Sequence, residues 1–84
     1  MTHPPDSHTP DVVLYTRQGC HLCDVAKEIL IQHGLLPVEV DIDADDALRE
    51  RFTQCVPVVE IDGRIRFRGR VDEVLLRRLL VSHG

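Results

Sequence analysis

The stretch Val12-Val13-Leu14-Tyr15-Thr16-Arg17-Gln18-Gly19-Cys20-His21-Leu22-Cys23 decides how this chain is read. Val12 to Tyr15 is a short, uninterrupted apolar run, the pattern of a central strand buried on both faces. Thr16 to Gly19 reads as a loop. Leu22, Val25, Ala26, Ile29 and Leu30 then recur at i, i+3, i+4, i+7 and i+8, which predicts a helix with one buried face. Gly34, directly after His33, is a helix stop. The two cysteines therefore sit where a strand passes through a loop into a helix. Cys20 falls at the helix N-terminus, where free N–H groups and the macrodipole favour a thiolate. Cys23 follows one turn later, within reach to close a disulfide. A protonated His21 would support the Cys20 thiolate, and the carboxylate of Asp24 would oppose it.

Outward from this unit, the remaining elements follow from pattern. Leu36 to Ile42 predicts a second strand, with Val38, Val40 and Ile42 on one face and Glu39 and Asp41 on the other. Pro37 near its start suits an edge. Asp43 or Asp45 caps a short helix running to about Phe52, with Leu48 and Phe52 facing inward. Val56 to Ile61 predicts a third strand. Asp62-Gly63 is a two-residue hairpin signal. Arg64 to Arg68 alternates, which places Ile65 and Phe67 on one face and three arginines on the other. Val71, Val74, Leu75 and Leu79 mark a last helix, with Asp72 near its start. The order is β-α-β-α-β-β-α. The first two strands, joined through a helix, should be parallel by the right-handed crossover rule. The hairpin adds two antiparallel strands. The fold class is α/β, a four-stranded mixed sheet flanked by helices on both faces.

The chain has 84 residues, 43% of them hydrophobic and 29% charged, which gives one domain and excludes wholesale disorder. Residues 1–10 hold three prolines and no apolar periodicity and read as a disordered leader, so the folded domain is expected over 11–84. Met1 to Pro5 has neither a basic start nor an apolar stretch, so no signal peptide is visible and a cytoplasmic location is expected. No apolar run reaches the roughly 18 residues of a membrane helix. The net charge is −4, which argues against a general nucleic-acid binder. The charge is uneven: residues 64–84 hold six arginines against Asp72 and Glu73, a local +4, while residues 1–63 carry −8. The arginines at 64, 66, 68 and 70 suit a charge-guarded edge strand, and secondarily a site for an acidic partner or anion. Asp41 to Asp45 begins like a calcium loop but lacks the glycine and the terminal glutamate that such loops need, so it reads as helix-capping acids.

Three cysteines are too few and too odd in number for a disulfide scaffold. Cys20 and Cys23 are open to three readings: a redox dithiol, small core residues, or part of a metal site with Cys55. Zinc asks for four ligands, and no second pair at ligand spacing exists. The position between strand and helix favours dithiol exchange, in which one thiolate attacks and a second thiol resolves. Val56-Pro57 opening the third strand is the second notable feature. Proline is unwelcome inside a central strand, and an X–Pro bond admits the cis form at modest cost.

The strand–Cys-x-x-Cys–helix unit, Val56-Pro57 before a hairpin, and Gly69-Arg70-Val71-Asp72 leading into the last helix resemble the glutaredoxin family of the thioredoxin fold, in particular its small bacterial glutaredoxin-like members. The resemblance covers about residues 11–82. It implies a cis Pro57 beside the cysteine pair, Cys20 as nucleophile and Cys23 as resolving thiol. It implies that the Val56 main chain anchors a peptide or glutathione backbone. Arg17 matches the family's basic residue near the glutathione carboxylate, and Asp72 the acid that receives its amino end. His21 is expected to join Arg17, Val56, Pro57 and Asp72 in binding substrate or glutathione. The sequence departs from the family at His21-Leu22, where Pro-Tyr is usual, at Gly69-Arg70, where Gly-Gly is usual, and at Cys55, where threonine is common. Cys55 reads as a filler of that threonine's space, with a third redox thiol as the sharper reading.

The expected function is a glutaredoxin-like dithiol–disulfide oxidoreductase contributing to cell redox homeostasis. The alternative is a redox-insensitive or redox-sensing thioredoxin-fold module that binds protein partners. No tightly bound cofactor and no metal are expected. The expected partners are a protein or small-molecule disulfide, with glutathione as co-substrate or a reductase as electron source. No nucleic-acid or membrane partner is expected, and the chain is expected to be a monomer.

Overall fold

The structure is a computed structural model that describes residues 10–52 and 56–83. Most of the expected leader, and Cys55 with it, lies outside the described residues. The elements are β1 (Val12–Thr16), α1 (His21–Gln32), β2 (Val38–Asp41), a 3-10 turn (Ile42–Ala44), α2 (Asp46–Arg51), β3 (Val58–Ile61), β4 (Arg64–Arg68) and α3 (Glu73–His83). The sheet order is β2-β1-β3-β4. β1 and β2 are parallel, and β3 is antiparallel to both β1 and β4. This is the mixed sheet that the pattern predicted.

The β-branched run of β1 occupies the interior of the sheet. Its Val12 and Leu14 enter the main core with Ala26 and Leu30 of α1, Val59 and Ile61 of β3, Phe67 of β4 and Leu76 of α3. The opposite face carries a smaller cluster, in which Ile42, Phe52 and Val58 pack with Tyr15, Leu48 and Ile65. The six-residue α2 covers only this part of the second face. Asp45 caps α2 by accepting the amides of Ala47 and Leu48 at 2.8 and 3.2 Å, and Asp41 caps the 3-10 turn through the Asp43 amide at 2.9 Å. The two caps account for Asp41 and Asp45 in the run of acids, each carboxylate taking amides that the turn leaves unpaired.

The end of α1 is set by Gly34, whose φ is +83°. Its amide donates to Ile31 O at 2.9 Å, and that of Leu35 donates to Leu30 O at 3.0 Å, which is the Schellman arrangement. Leu35 then folds back into the core beside Leu30. Asp62 and Gly63, with φ of 51° and 82°, form the β3–β4 turn that Asp-Gly predicts.

Four expectations about faces are corrected. On α1, Leu22 and Val25 are exposed, and Cys23, Ala26 and Leu30 make the buried stripe. The stripe is rotated because Cys23 turns inward at the first turn. On α3, Val74 and Leu75 are exposed and Leu76 is fully buried. Asp72 caps that helix, so Leu76 is the first position on the core side, with Leu79 and Leu80 following at i+3 and i+4. On β2, Val38 is 62% exposed, because the strand lies at the sheet's outer edge and begins beyond the cover of α2. The strand itself spans Val38–Asp41 rather than 36–42, and Ile42 is buried from the 3-10 turn. On β4, Ile65 and Phe67 face opposite sides of the sheet. Glu60 pairs with Ile65 and Val59 with Phe67, which leaves Arg66 as the extra residue of a bulge. Alternation in the sequence cannot survive an inserted residue, so the arginines do not share one face. Among the described residues no helix is long and apolar enough to cross a membrane.

Candidate active site

The loop after β1 delivers Cys20 to the N-cap of α1. Its backbone is extended (φ −88°, ψ 102°), its amide donates to Arg17 O at 3.3 Å, and its carbonyl accepts from Cys23 N at 3.1 Å. Cys20 Sγ also accepts from the Cys23 amide at 3.2 Å. The sulfur thus occupies the place of a capping oxygen, facing the Cys23 amide in the first turn of α1. In general a helix N-terminus favours a thiolate over a thiol. Cys20 and Cys23 are joined as a disulfide with Cα atoms 5.3 Å apart. Their accessibility differs: Cys20 is half-buried, and Cys23 is only 3% exposed. Of the two sulfurs, Cys20 is therefore the one open to solvent.

The sheet gathers the other expected residues at the same end. Tyr15 near the end of β1 pairs with Val58 at the start of β3, so Val56 and Pro57 lie beside the strand end that leads to Cys20. The Val56–Pro57 peptide is cis, and Pro57 is buried. Pro57 O accepts the Gly69 amide at 2.7 Å, which ties the end of β4 to the same edge. Asp72 follows from that turn, with Oδ1 accepting the Val74 and Leu75 amides at 2.9 and 3.2 Å. It is exposed, as is His21.

Arg17 lines a cavity of about 230 Å³ together with Cys20, Cys23, Asp24, Glu39 and Asp41. Its guanidinium binds Asp43 in a fork, Nη2 to Oδ1 at 3.1 Å and Nε to Oδ2 at 3.2 Å. Sequence reading missed this partner, because the 26-residue separation leaves no local signal. Glu39, across the cavity, pairs with Lys27 at 2.7 Å, and that hydrogen bond holds the ammonium above its ordinary range. A second cavity of about 260 Å³ lies where Leu22, Val25 and Ile29 of α1 meet Gly69, Arg70 and Val71. The exposure of Leu22 and Val25 is what makes it apolar. Among the described residues no group of three His, Cys, Asp or Glu side chains is arranged to hold a metal ion.

Beneath the site, Tyr15 OH donates to Glu60 at 2.6 Å and its ring packs against Phe52, with centroids 4.8 Å apart. The hydrogen bond to a carboxylate, aided by burial, raises the phenol above its ordinary 10.0.

Fold and site together define a thioredoxin-fold protein with a Cys-x-x-Cys disulfide at the start of its first helix. Within that class the chain belongs to the glutaredoxin-like family: residues 11–81 match the family model of the Glutaredoxin-like domain (DUF836). It is 34% identical over 73 residues to a glutaredoxin-like protein of Dictyostelium discoideum, across 75% of this chain and 68% of that one. It is 35% identical over 77 residues to an uncharacterized protein of Mycobacterium tuberculosis, across 81% of this chain and 79% of the relative. Among solved structures, a structural-genomics protein from X. campestris superimposes with a TM-score of 0.71 at 37% identity, covering 84% of this chain and 96% of the other. A buckwheat glutaredoxin–glutathione complex shares the fold with a TM-score of 0.62 at 22% identity, over 88% and 76% of the two chains.

Proposed function

We propose that the protein is a dithiol–disulfide oxidoreductase in which Cys20 is the nucleophile and Cys23 the resolving thiol. The supporting observation is the asymmetry of the pair: one accessible sulfur at a helix N-terminus, one sulfur buried a turn behind it. In the reduced protein, the Cys20 thiolate attacks one sulfur of a substrate disulfide. The S–S bonding pair leaves with the departing thiolate, which takes up a proton. Cys23, deprotonated, then attacks Cys20 Sγ and expels the second substrate thiolate, which is protonated in turn. The substrate gains two electrons and two protons, and the Cys20–Cys23 disulfide is the oxidised product. Two equivalents of glutathione or a reductase restore the dithiol.

In this reading the Val56 main chain beside Pro57 holds the substrate backbone. Arg17 and Asp72 offer a cation and an anion at the same end of the sheet. Each already serves a structural partner, Arg17 the Asp43 carboxylate and Asp72 the first amides of α3. Cys20→Ser should abolish disulfide reduction. Cys23→Ser should instead stall at a mixed disulfide on Cys20. Full activity in Cys20→Ser would overturn the assignment.

A further inference from the structure

β4 is an outer strand of the sheet, and α3 packs beside it on the main-core side. Between them run two cavities of about 250 Å³ each. They share Arg66 and Leu79, so they form one furrow. Its floor is apolar, with Ile61 and Leu80 toward the hairpin and Phe67 and Leu75 toward the active-site end. Leu75 is 46% exposed, although it sits on a helix packed against the core. The rim carries three cations, Arg64 and Arg66 from β4 and Arg78 from α3, against one carboxylate, Asp62 of the hairpin turn. The bulge is what brings Arg66 to this rim, since it inserts that residue between Ile65 and Phe67 without a partner of its own on β3.

The charge of this region is opposite to that of the molecule. Residues 64–84 carry a net +4 in a chain whose total is −4. An apolar floor inside an arginine rim complements a segment that presents apolar side chains flanked by carboxylates. The bulge and the charged residues disfavour addition of a further strand to the β4 edge, so recognition falls to side chains in the furrow. We infer that the β4–α3 furrow is a docking surface for a protein partner through an acidic, leucine-bearing segment. The surface is separate from the Cys20 site and does not depend on the redox chemistry.

The test uses the full chain, isotopically labelled for NMR, and a fluorescent twelve-residue peptide in which glutamates flank two leucines. A matching peptide with lysines in place of the glutamates is the control. The glutamate peptide should shift the amide signals of residues 64–67 and 75–79, and raising NaCl from 50 to 500 mM should weaken its binding at least tenfold. Arg64→Glu with Arg66→Glu should weaken binding by at least tenfold. The milder pair Arg64→Gln and Arg66→Gln, which preserves the fold more securely, should weaken it about threefold. Both variants should keep the wild-type circular dichroism spectrum and its rate with a small disulfide. The inference is overturned if the glutamate peptide does not bind, if the lysine peptide binds equally well, or if shifts fall around Cys20 instead. Tighter binding of an oligothymidine of equal charge would also overturn it, by making the surface one for nucleic acid.

Discussion

Leu76→Ala tests the register of α3, the helix that Asp72 caps at one side of the candidate site. Leu76 is fully buried in the main core, alongside Leu14, Leu30 and Phe67. Truncating a buried leucine costs the lost transfer energy plus the cavity left behind, about 2–5 kcal/mol. With no exposed edge through which the site could collapse, about 3 kcal/mol is the expected loss. Domains of this size are stable by only about 4–12 kcal/mol, so the variant forfeits a large share of the total. Leu75, one position earlier, is 46% exposed, and Leu75→Ala should change stability by no more than about 0.5 kcal/mol. The assay is urea unfolding of the oxidised protein followed by circular dichroism. With a slope of about 1 kcal/mol per molar urea, Leu76→Ala should lower the midpoint by about 3 M and Leu75→Ala by less than about 0.5 M. Equal losses for the two, or a larger loss for Leu75→Ala, would refute the placement of α3.

Three further outcomes follow from the site. Asp72→Ala removes the acceptor for the Val74 and Leu75 amides and should cost about 1 kcal/mol in thermal or urea unfolding, and Asp72→Asn should recover most of it. Asp43→Asn breaks the fork to Arg17, a pair whose side chains are both 37% exposed, so solvent screening keeps the expected loss below about 1 kcal/mol. Repeating that measurement in 1 M NaCl should shrink the difference from wild type. Tyr15 has its pKa raised in the folded state, chiefly by the hydrogen bond to Glu60. A folded pKa above the unfolded one means the native state holds the proton longer, so this contribution is complete below pH 10.0 and is lost as pH rises through the folded value. The stability advantage of wild type over Tyr15→Phe should therefore hold at neutral pH and decline above pH 10, read by denaturation across pH 8 to 11.

Element order, strand directions and the location of the dithiol were legible because each rests on local signals. The apolar run of β1, the Cys-x-x-Cys spacing, Gly34 and Asp62-Gly63 each act within a few residues. Which face of an element is buried was less legible. Leu22, Val25, Val74 and Leu75 fit a helical stripe as well as the residues that are actually buried. Tertiary packing chose between stripes one position apart. The β4 bulge illustrates the same limit: its inserted residue is set by pairing with β3, and the sequence Arg-Ile-Arg-Phe-Arg reads as plain alternation. The Arg17–Asp43 and Tyr15–Glu60 pairs join residues 26 and 45 apart, and no pattern along the chain links them.

The central claim is that Cys20 and Cys23 form an exchanging dithiol with Cys20 as the accessible nucleophile. Its most direct test is equilibration of the purified protein in glutathione redox buffers, followed by thiol trapping and mass spectrometry. The account predicts rapid, reversible exchange of the Cys20–Cys23 disulfide at about −200 to −270 mV, the range of comparable couples, with any transient glutathione adduct on Cys20. A disulfide that does not exchange, or an adduct that forms on Cys23 first, would contradict it.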